Sequence, residues 1–510
     1  MLRLISFFIF QMFFLQNIYA KSDLKILLNT SGGNPYSPDA PSSAKTLIES
    51  GIVSKLIQVN NNIVVPKLLK EAYYDFQAKE YILVLKDDLY FHNKRKVIIE
   101  DLEFSILRHY FASAKSHGIG ALDNILGIDE IHKQNLTQFK SGVVEGVKIF
   151  PPDTLKIKLI APDPNFLYMI SDPTFSLVPI EELDSTYMNW KTIPIGAGSY
   201  AMSAEGFKNG VVKLTKVNPQ LSESVDEVFF YTKNDPRLDF DISMVKITEQ
   251  KQNNYAIYYS RYPVSYFGLT FTNVNELGNN LYFRKFVQTA LNSEKFVKYA
   301  DGFSSIYEVF PQSKWGVSNL KSPYNPEMAK KYFAQISDKL KNKKWNITIY
   351  SAGNSVRSYK KDFMEEIKKQ LGIFGFKMNY IPVTTQFLPK NLAENTPFDV
   401  SSIQVDPYDT LFKFARLLKS GEDEYVKPLY DAKLESLYAN ALKAENLESK
   451  FQFIDKLNEY VHEQAYWVPL LQRKAVIYYN PKTIKNLMDN NKEIYHLSIE
   501  DIRIENEKKM

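Results

Sequence analysis

The segment from residue 345 to 404 constrains the fold most. An apolar run at Trp345 to Tyr350 reads as a strand, Tyr359 to Leu371 carries helical spacing and is ended by Gly372, and Lys377 to Ile381 and Asp399 to Gln404 again read as strands. A strand, a crossover helix and a second strand imply a parallel sheet with a right-handed connection, so the second half of the chain is α/β. Upstream, short alternating runs dominate: Leu24 to Leu28, Glu80 to Leu85, Asp153 to Leu159, Val211 to Lys216 and Glu227 to Tyr231. These predict strands, and one helix begins at Glu100-Asp101. Leu281 to Tyr299 repeats apolar residues at helical spacing. Asn325-Pro326 caps a further helix whose stripe is Met328, Ala329, Tyr332, Phe333 and Ile336. Long helices at Leu429 to Lys443 and Leu447 to Glu463 precede a strand at Ala475 to Tyr479.

Size and composition set the scale. The chain has 510 residues, 45% hydrophobic and 24% charged, which is globular material expected to divide into two to four structural units at ~100–200 residues each. It has no cysteine, which excludes disulfide scaffolds, thiolate metal sites and cysteine nucleophiles. A net charge of +5 with no dominant basic block argues against nucleic acid as a partner.

Residues 1 to 20 carry only Arg3, then an apolar run from Leu4 to Leu15 and Ile18-Tyr19-Ala20 before Lys21. That order predicts a secretory signal peptide cleaved after Ala20, because the run is near the lower limit for spanning ~30 Å of hydrocarbon. No Cys follows it, so a lipid anchor is not expected. The most apolar later segment, Ile160 to Ile180, is interrupted by Asp163, Asp172 and four prolines. The mature chain is therefore expected to be exported and soluble.

Catalytic motifs are sparse. The six histidines are scattered, His462-Glu463 lacks a second histidine at metal-binding spacing, and neither a nucleophile elbow nor a phosphate-binding glycine loop occurs. Glu181-Glu182 and Glu422-Asp423-Glu424 could host a carboxylate pair for a secreted hydrolase, but read more simply as solvated loop charge. No enzyme, cofactor or metal is nominated. One feature does carry chemistry: Asp406-Pro407-Tyr408-Asp409 follows a predicted strand of the α/β half. Ligands of open α/β sheets bind beyond the carboxyl ends of strands, and a carboxylate there suits an ammonium group. Asp-Pro and Tyr-Asp are equally good turn chemistry, and the residues alone leave both readings open.

Four segments in order resemble the extracellular solute-binding proteins of peptide ABC transporters, the peptide/nickel-binding family. Ile63-Val64-Val65-Pro66-Lys67-Leu68-Leu69 is similar to an early family stretch. Between Leu89 and Arg108, Phe91, His92, Asp101, Phe104, Ser105 and Arg108 stand at the family spacing, with Asn93 for Asp, Lys94 for Gly and Ile99 for Ala, so a reshaped turn is expected before the helix. Pro194-Ile195-Gly196-Ala197-Gly198-Ser199-Tyr200 resembles a family glycine segment, whose glycines are expected to give the tight backbone of a return between lobes. Phe283 to Asn292 resembles the family helix that carries Arg284, with Asn292 and Ser293 replacing its usual Asp and Arg.

The resemblance covers about residues 24 to 500 and implies an α/β, two-lobe periplasmic-binding-protein fold (type II, Venus-flytrap) with an extra subdomain in the first lobe. Carried onto this chain, the first-lobe core would be 21–45 plus 186–270 plus 476–510, its extra subdomain 46–185, and the second lobe 271–475. In such relatives the ligand lies extended between the lobes and adds backbone hydrogen bonds to flanking strands. By that likeness Asp406 would anchor a peptide α-amino group, Ser402 and Gln404 would offer backbone contacts, Tyr408 would lie beside them, and Arg357 is a candidate for the carboxylate end. His92 and the motif helix would be structural. The implied protein is a periplasmic monomer that hands peptides to inner-membrane permease subunits. The alternative is the same fold holding a nickel complex, haem, an opine or a sugar.

Overall fold

The structure is a computed structural model that describes residues 23–28, 30, 33–36, 42–60, 63–111, 122–218, 225–235, 237–247, 253–271, 274–309, 320–350, 358–383, 390–404, 431–444, 446–487 and 497–504. The export segment expected at residues 1 to 20 lies outside them. No described helix is long and apolar enough to cross a membrane.

One mixed sheet of 11 strands runs through the molecule. From one edge its order is Met378–Val383, Trp345–Tyr350, Phe398–Gln404, Ala256–Phe271, Trp467–Tyr479, Ile242–Ser243, Asp23–Leu27, Glu227–Tyr231, Val211–Lys216 and Tyr200–Lys208, with Phe303–Ser305 paired to Trp467–Tyr479. The expected crossover is present: Trp345–Tyr350 is parallel to Met378–Val383 on one side and to Phe398–Gln404 on the other, with the helix Ser358–Gly372 between the first two. That helix buries Phe363, Met364, Ile367 and Leu371, one stripe at helical spacing, against Ile347, Ile349, Met378 and Val400. Each such side chain contributes about 1.5–3 kcal/mol relative to exposure.

The two longest strands depart from the sequence expectation. Ala256–Phe271 spans 16 residues where no strand was expected, and the strand expected at Ala475 to Tyr479 begins at Trp467. They pair antiparallel along their lengths and join the two ends of the sheet. Pro263 and Pro469 lie within them, and prolines ordinarily argue against a central strand. Here the ladder accommodates Pro263 through register shifts on both sides of it, between Tyr259 and Pro263 and between Pro263 and Ser265.

Buried side chains fall into three large clusters. One, from Leu56 to Leu177, lies on the sheet Leu69–Asp75, Glu80–Leu85, Thr154–Ile157 and Val147–Phe150. A second surrounds Asp23–Leu27 and extends to Ile502. The third runs from Phe267 to Leu471 and covers the parallel strands. The helix Ile99–Phe111 joins the first two, with Leu102, Ile106 and Leu107 in one and Phe104 in the other.

Candidate functional site

The motif residues His92, Ser105 and Arg108 have structural tasks. His92 Nε2 lies 2.9 Å from Gly198 O and its backbone N–H donates to Gly196 O at 2.9 Å, so two of the four segments bind each other. Burial holds the His92 imidazole below its ordinary pKa, which keeps the ring neutral in that contact. Ser105 Oγ accepts the buried N–H of Val178 at 3.0 Å. Ser105→Ala is expected to cost about 1–2 kcal/mol by orphaning that donor, read as a lower urea midpoint. Arg108 donates to Tyr187 O at 2.7 Å and Thr174 O at 3.2 Å, and burial lowers its guanidinium pKa to about 10.

The glycine segment packs tightly on a neighbouring helix end. A Cβ at Gly196 would lie 2.3 Å from Ile52 O and one at Gly198 2.5 Å from Gly51 O, so both glycines permit close approach to the end of the helix Ser42–Ile52. Gly198 N–H then donates to Ile52 O at 2.7 Å and satisfies a terminal carbonyl of that helix.

The turn before the motif helix is held by charge. Arg95 makes two hydrogen bonds to Asp101, at 2.9 and 2.8 Å, and two to Glu181, at 2.6 and 3.1 Å, while Asn93 donates to Glu181 and Glu182. Glu181 is therefore paired rather than simply solvated. Lys94 sits at φ 70°, where glycine carries no steric penalty. A left-handed non-glycine residue costs about 1–2 kcal/mol, and glycine loses about 0.5–1 kcal/mol of unfolded-state entropy. Lys94→Gly should thus stabilise by roughly 0.5–1 kcal/mol in chemical denaturation.

His462 also differs from a plain helix-surface residue. Its carbonyl accepts from Lys285 at 3.3 Å and Gln288 at 2.9 Å, and burial with the nearby Lys285 cation holds its ring below the ordinary pKa. Among the described residues no group of three His, Cys, Asp or Glu could hold a metal.

A cleft follows from strand direction. Ala256–Phe271 enters the parallel end of the sheet at Ser265, opposite Gln404, and ends at Phe271, opposite Phe398. Phe398–Gln404 therefore runs back toward the middle of the two long strands, as does its parallel neighbour Trp345–Tyr350. At the other end Ile242–Ser243 is antiparallel to Trp467–Tyr479 and parallel to Asp23–Leu27, so those strands also point their carboxyl ends toward the same middle. Carboxyl ends from both halves face one another across a waist formed by Ser260 to Ser265 and Arg473 to Ala475. This doubles the usual position of ligands at strand carboxyl ends.

Ser402 pairs with Phe267 and Gln404 with Ser265 through one edge of their strand. The other edge meets Trp345–Tyr350 only at Asp399 and Val400, so Ser401 to Gln404 present an edge that pairs with no described strand. Asp406, Tyr408 and Arg357, and also Glu422-Asp423-Glu424, lie outside the described residues.

The waist adds groups that sequence reasoning missed. Arg473 Nε donates to Ser265 Oγ at 3.2 Å and Ser260 Oγ accepts from Ala475 N–H at 2.9 Å, which crosslinks the long strands where their register shifts. The available signal was a basic pair, Arg473-Lys474, inside an otherwise apolar strand.

A profile of the bacterial extracellular solute-binding proteins, family 5, matches residues 64–226 and 237–425. The murein tripeptide binding protein MppA of Escherichia coli superposes with TM-score 0.74 at 14% identity, over 95% of this chain and 99% of its own. OppA of Haemophilus influenzae, solved with the peptide RPPGFSPFR, gives TM-score 0.72 at 13% identity over 95% and 99% of the two chains. NikZ of Campylobacter jejuni, solved with Ni(L-His), gives 0.70 at 17% identity over 95% and 99%. No curated protein matches by sequence. The fold is thus the two-lobe type II architecture of periplasmic binding proteins.

Proposed function

Given that the chain belongs to family 5 of the bacterial extracellular solute-binding proteins, we propose that it captures peptides between its lobes and delivers them to the permease of an ABC transporter, with no catalytic step of its own. The carrying observation is the strand edge at Ser401 to Gln404, which pairs with no described strand and is set at the waist where strand ends of both lobes converge. An extended peptide laid along it would gain main-chain hydrogen bonds without a sequence requirement. Asp406, two positions past Gln404, would hold the peptide ammonium, Tyr408 would line the same wall, and Arg357 would approach the carboxylate end. Titration calorimetry with a mixed tri- to pentapeptide pool should show saturable binding, and no heat with any pool would reject the reading.

The division of the chain proposed with this function is 21–45 plus 186–270 plus 476–510 for the first-lobe core, 46–185 for its extra subdomain and 271–475 for the second lobe. The three buried clusters support its outline, since they centre on those segments, while Leu47 to Val53 pack with the first-lobe core and Phe267 to Phe271 with the second lobe. The working form is a periplasmic monomer released by cleavage after Ala20. Cell fractionation with an outer-membrane-permeable strain as control tests the location.

A further inference from the structure

Besides the two long strands, the lobes meet at a second place, where the helix Leu447–Gln464 touches the 46–185 unit. Lys450 Nζ lies 2.7 Å from Asp163 Oδ1, across 287 residues of sequence, with side-chain exposures of 7% and 13%. Phe451, the next residue, packs against the buried cluster of Leu56 to Leu177. Asp163 is fixed from its own side. Its carboxylate accepts Asn165 N–H at 3.0 Å, and its carbonyl accepts from Phe166 N–H at 3.0 Å and Tyr81 Oη at 2.5 Å.

Local forces do not account for Lys450. It lies in the first turn of its helix, where the positive end of the macrodipole disfavours a cation, and its ammonium is removed from water. A position that breaks a local rule and is satisfied, among the described residues, across the lobe boundary points to a tertiary role.

We propose that Lys450, Phe451 and Asp163 form an interlobe latch that sets the closed position of the second lobe against the extra subdomain. In the closed form the charges are dry and mutually satisfied; on opening each returns to water, so the pair adds little net energy but fixes one register of closure. Removing one charge leaves the other buried and unpaired only in the closed form, which shifts the molecule toward open. Removing both relieves that penalty. This inference requires lobes that close and does not require the ligand to be a peptide.

The absence of native cysteine makes the test direct. Phe76→Cys and Ile373→Cys place spin labels on exposed sites of the two lobes, and the interlobe distance distribution is recorded with and without the peptide pool. Lys450→Met keeps the apolar stem, and Asp163→Asn keeps the acceptor for Asn165. Each alone is expected to raise the open-to-closed ratio about tenfold or more, and the double variant to return most of the way to the parent. Additive opening in the double variant, unchanged distributions in both singles, or a parent lacking any short-distance population would overturn the latch. Closure that depends on the pair in a protein that binds no peptide would reject the peptide reading and leave the latch standing.

Discussion

Asp406→Ala is expected to weaken binding of tri- to pentapeptides by ~2 kcal/mol or more, about a thirtyfold rise in Kd. The expectation rests on where the strand leads. Phe398–Gln404 runs toward the waist, and Asp406 follows it by two residues. A carboxylate makes charge-assisted hydrogen bonds to an ammonium that are roughly twice as strong as neutral ones. A second substitution and a second ligand separate this from general damage. Asp406→Asn retains an acceptor and should fall between wild type and alanine. N-acetylated peptides lack the charge, so they should bind wild type as poorly as free peptides bind Asp406→Ala, and lose little more in the variant. An unchanged Kd in Asp406→Ala removes this residue from the site.

Arg284→Ala should lower stability by about 3–4 kcal/mol, the largest loss expected from any motif residue. Arg284 is 6% exposed, and its guanidinium donates to Gly278 O at 3.3 Å, Asn279 O at 2.7 Å and Gln464 O at 3.2 Å. It also lies 5.0 Å from the centre of the Tyr466 ring. Truncation leaves three carbonyls with lost partners, at about 1–3 kcal/mol for each one left unsatisfied, and opens a cavity beneath the ring. For a lobe of about 200 residues the loss corresponds to a fall in Tm of roughly 6–16 °C. Arg284→Lys keeps the charge but cannot span both helix ends and should recover only part of it. Circular dichroism melts of the three proteins check the order.

The same two regions show what the sequence could and could not convey. The crossover unit was legible because Trp345 to Tyr350 and Tyr359 to Leu371 each obey one periodicity over a whole element. The motif residues were legible as a pattern, yet their tasks were not: the close approach of Gly198 to Ile52 O involves residues 146 positions apart, and only the fold brings them together. The waist was hidden for a different reason. Ala256–Phe271 and Trp467–Tyr479 contain proline and shift register, so alternation fails at the place where the strands cross between lobes. Of the five predicted site residues, Ser402 and Gln404 fall on a described strand edge beside that waist, and the case for Asp406, Tyr408 and Arg357 rests on chain position. Lys450 was unreadable because its partner is 287 residues away.

The central claim is that the cleft carries peptides, and the solute that the protein itself retains tests it most directly. After native purification from its own compartment without added ligand, the protein should release a mixture of short peptides of varied sequence on denaturation, identified by mass spectrometry. Varied side chains on a shared backbone length are the signature of main-chain recognition at an open strand edge. Release of a single haem, nickel complex, opine or sugar in stoichiometric amount, with no peptide, would contradict the account.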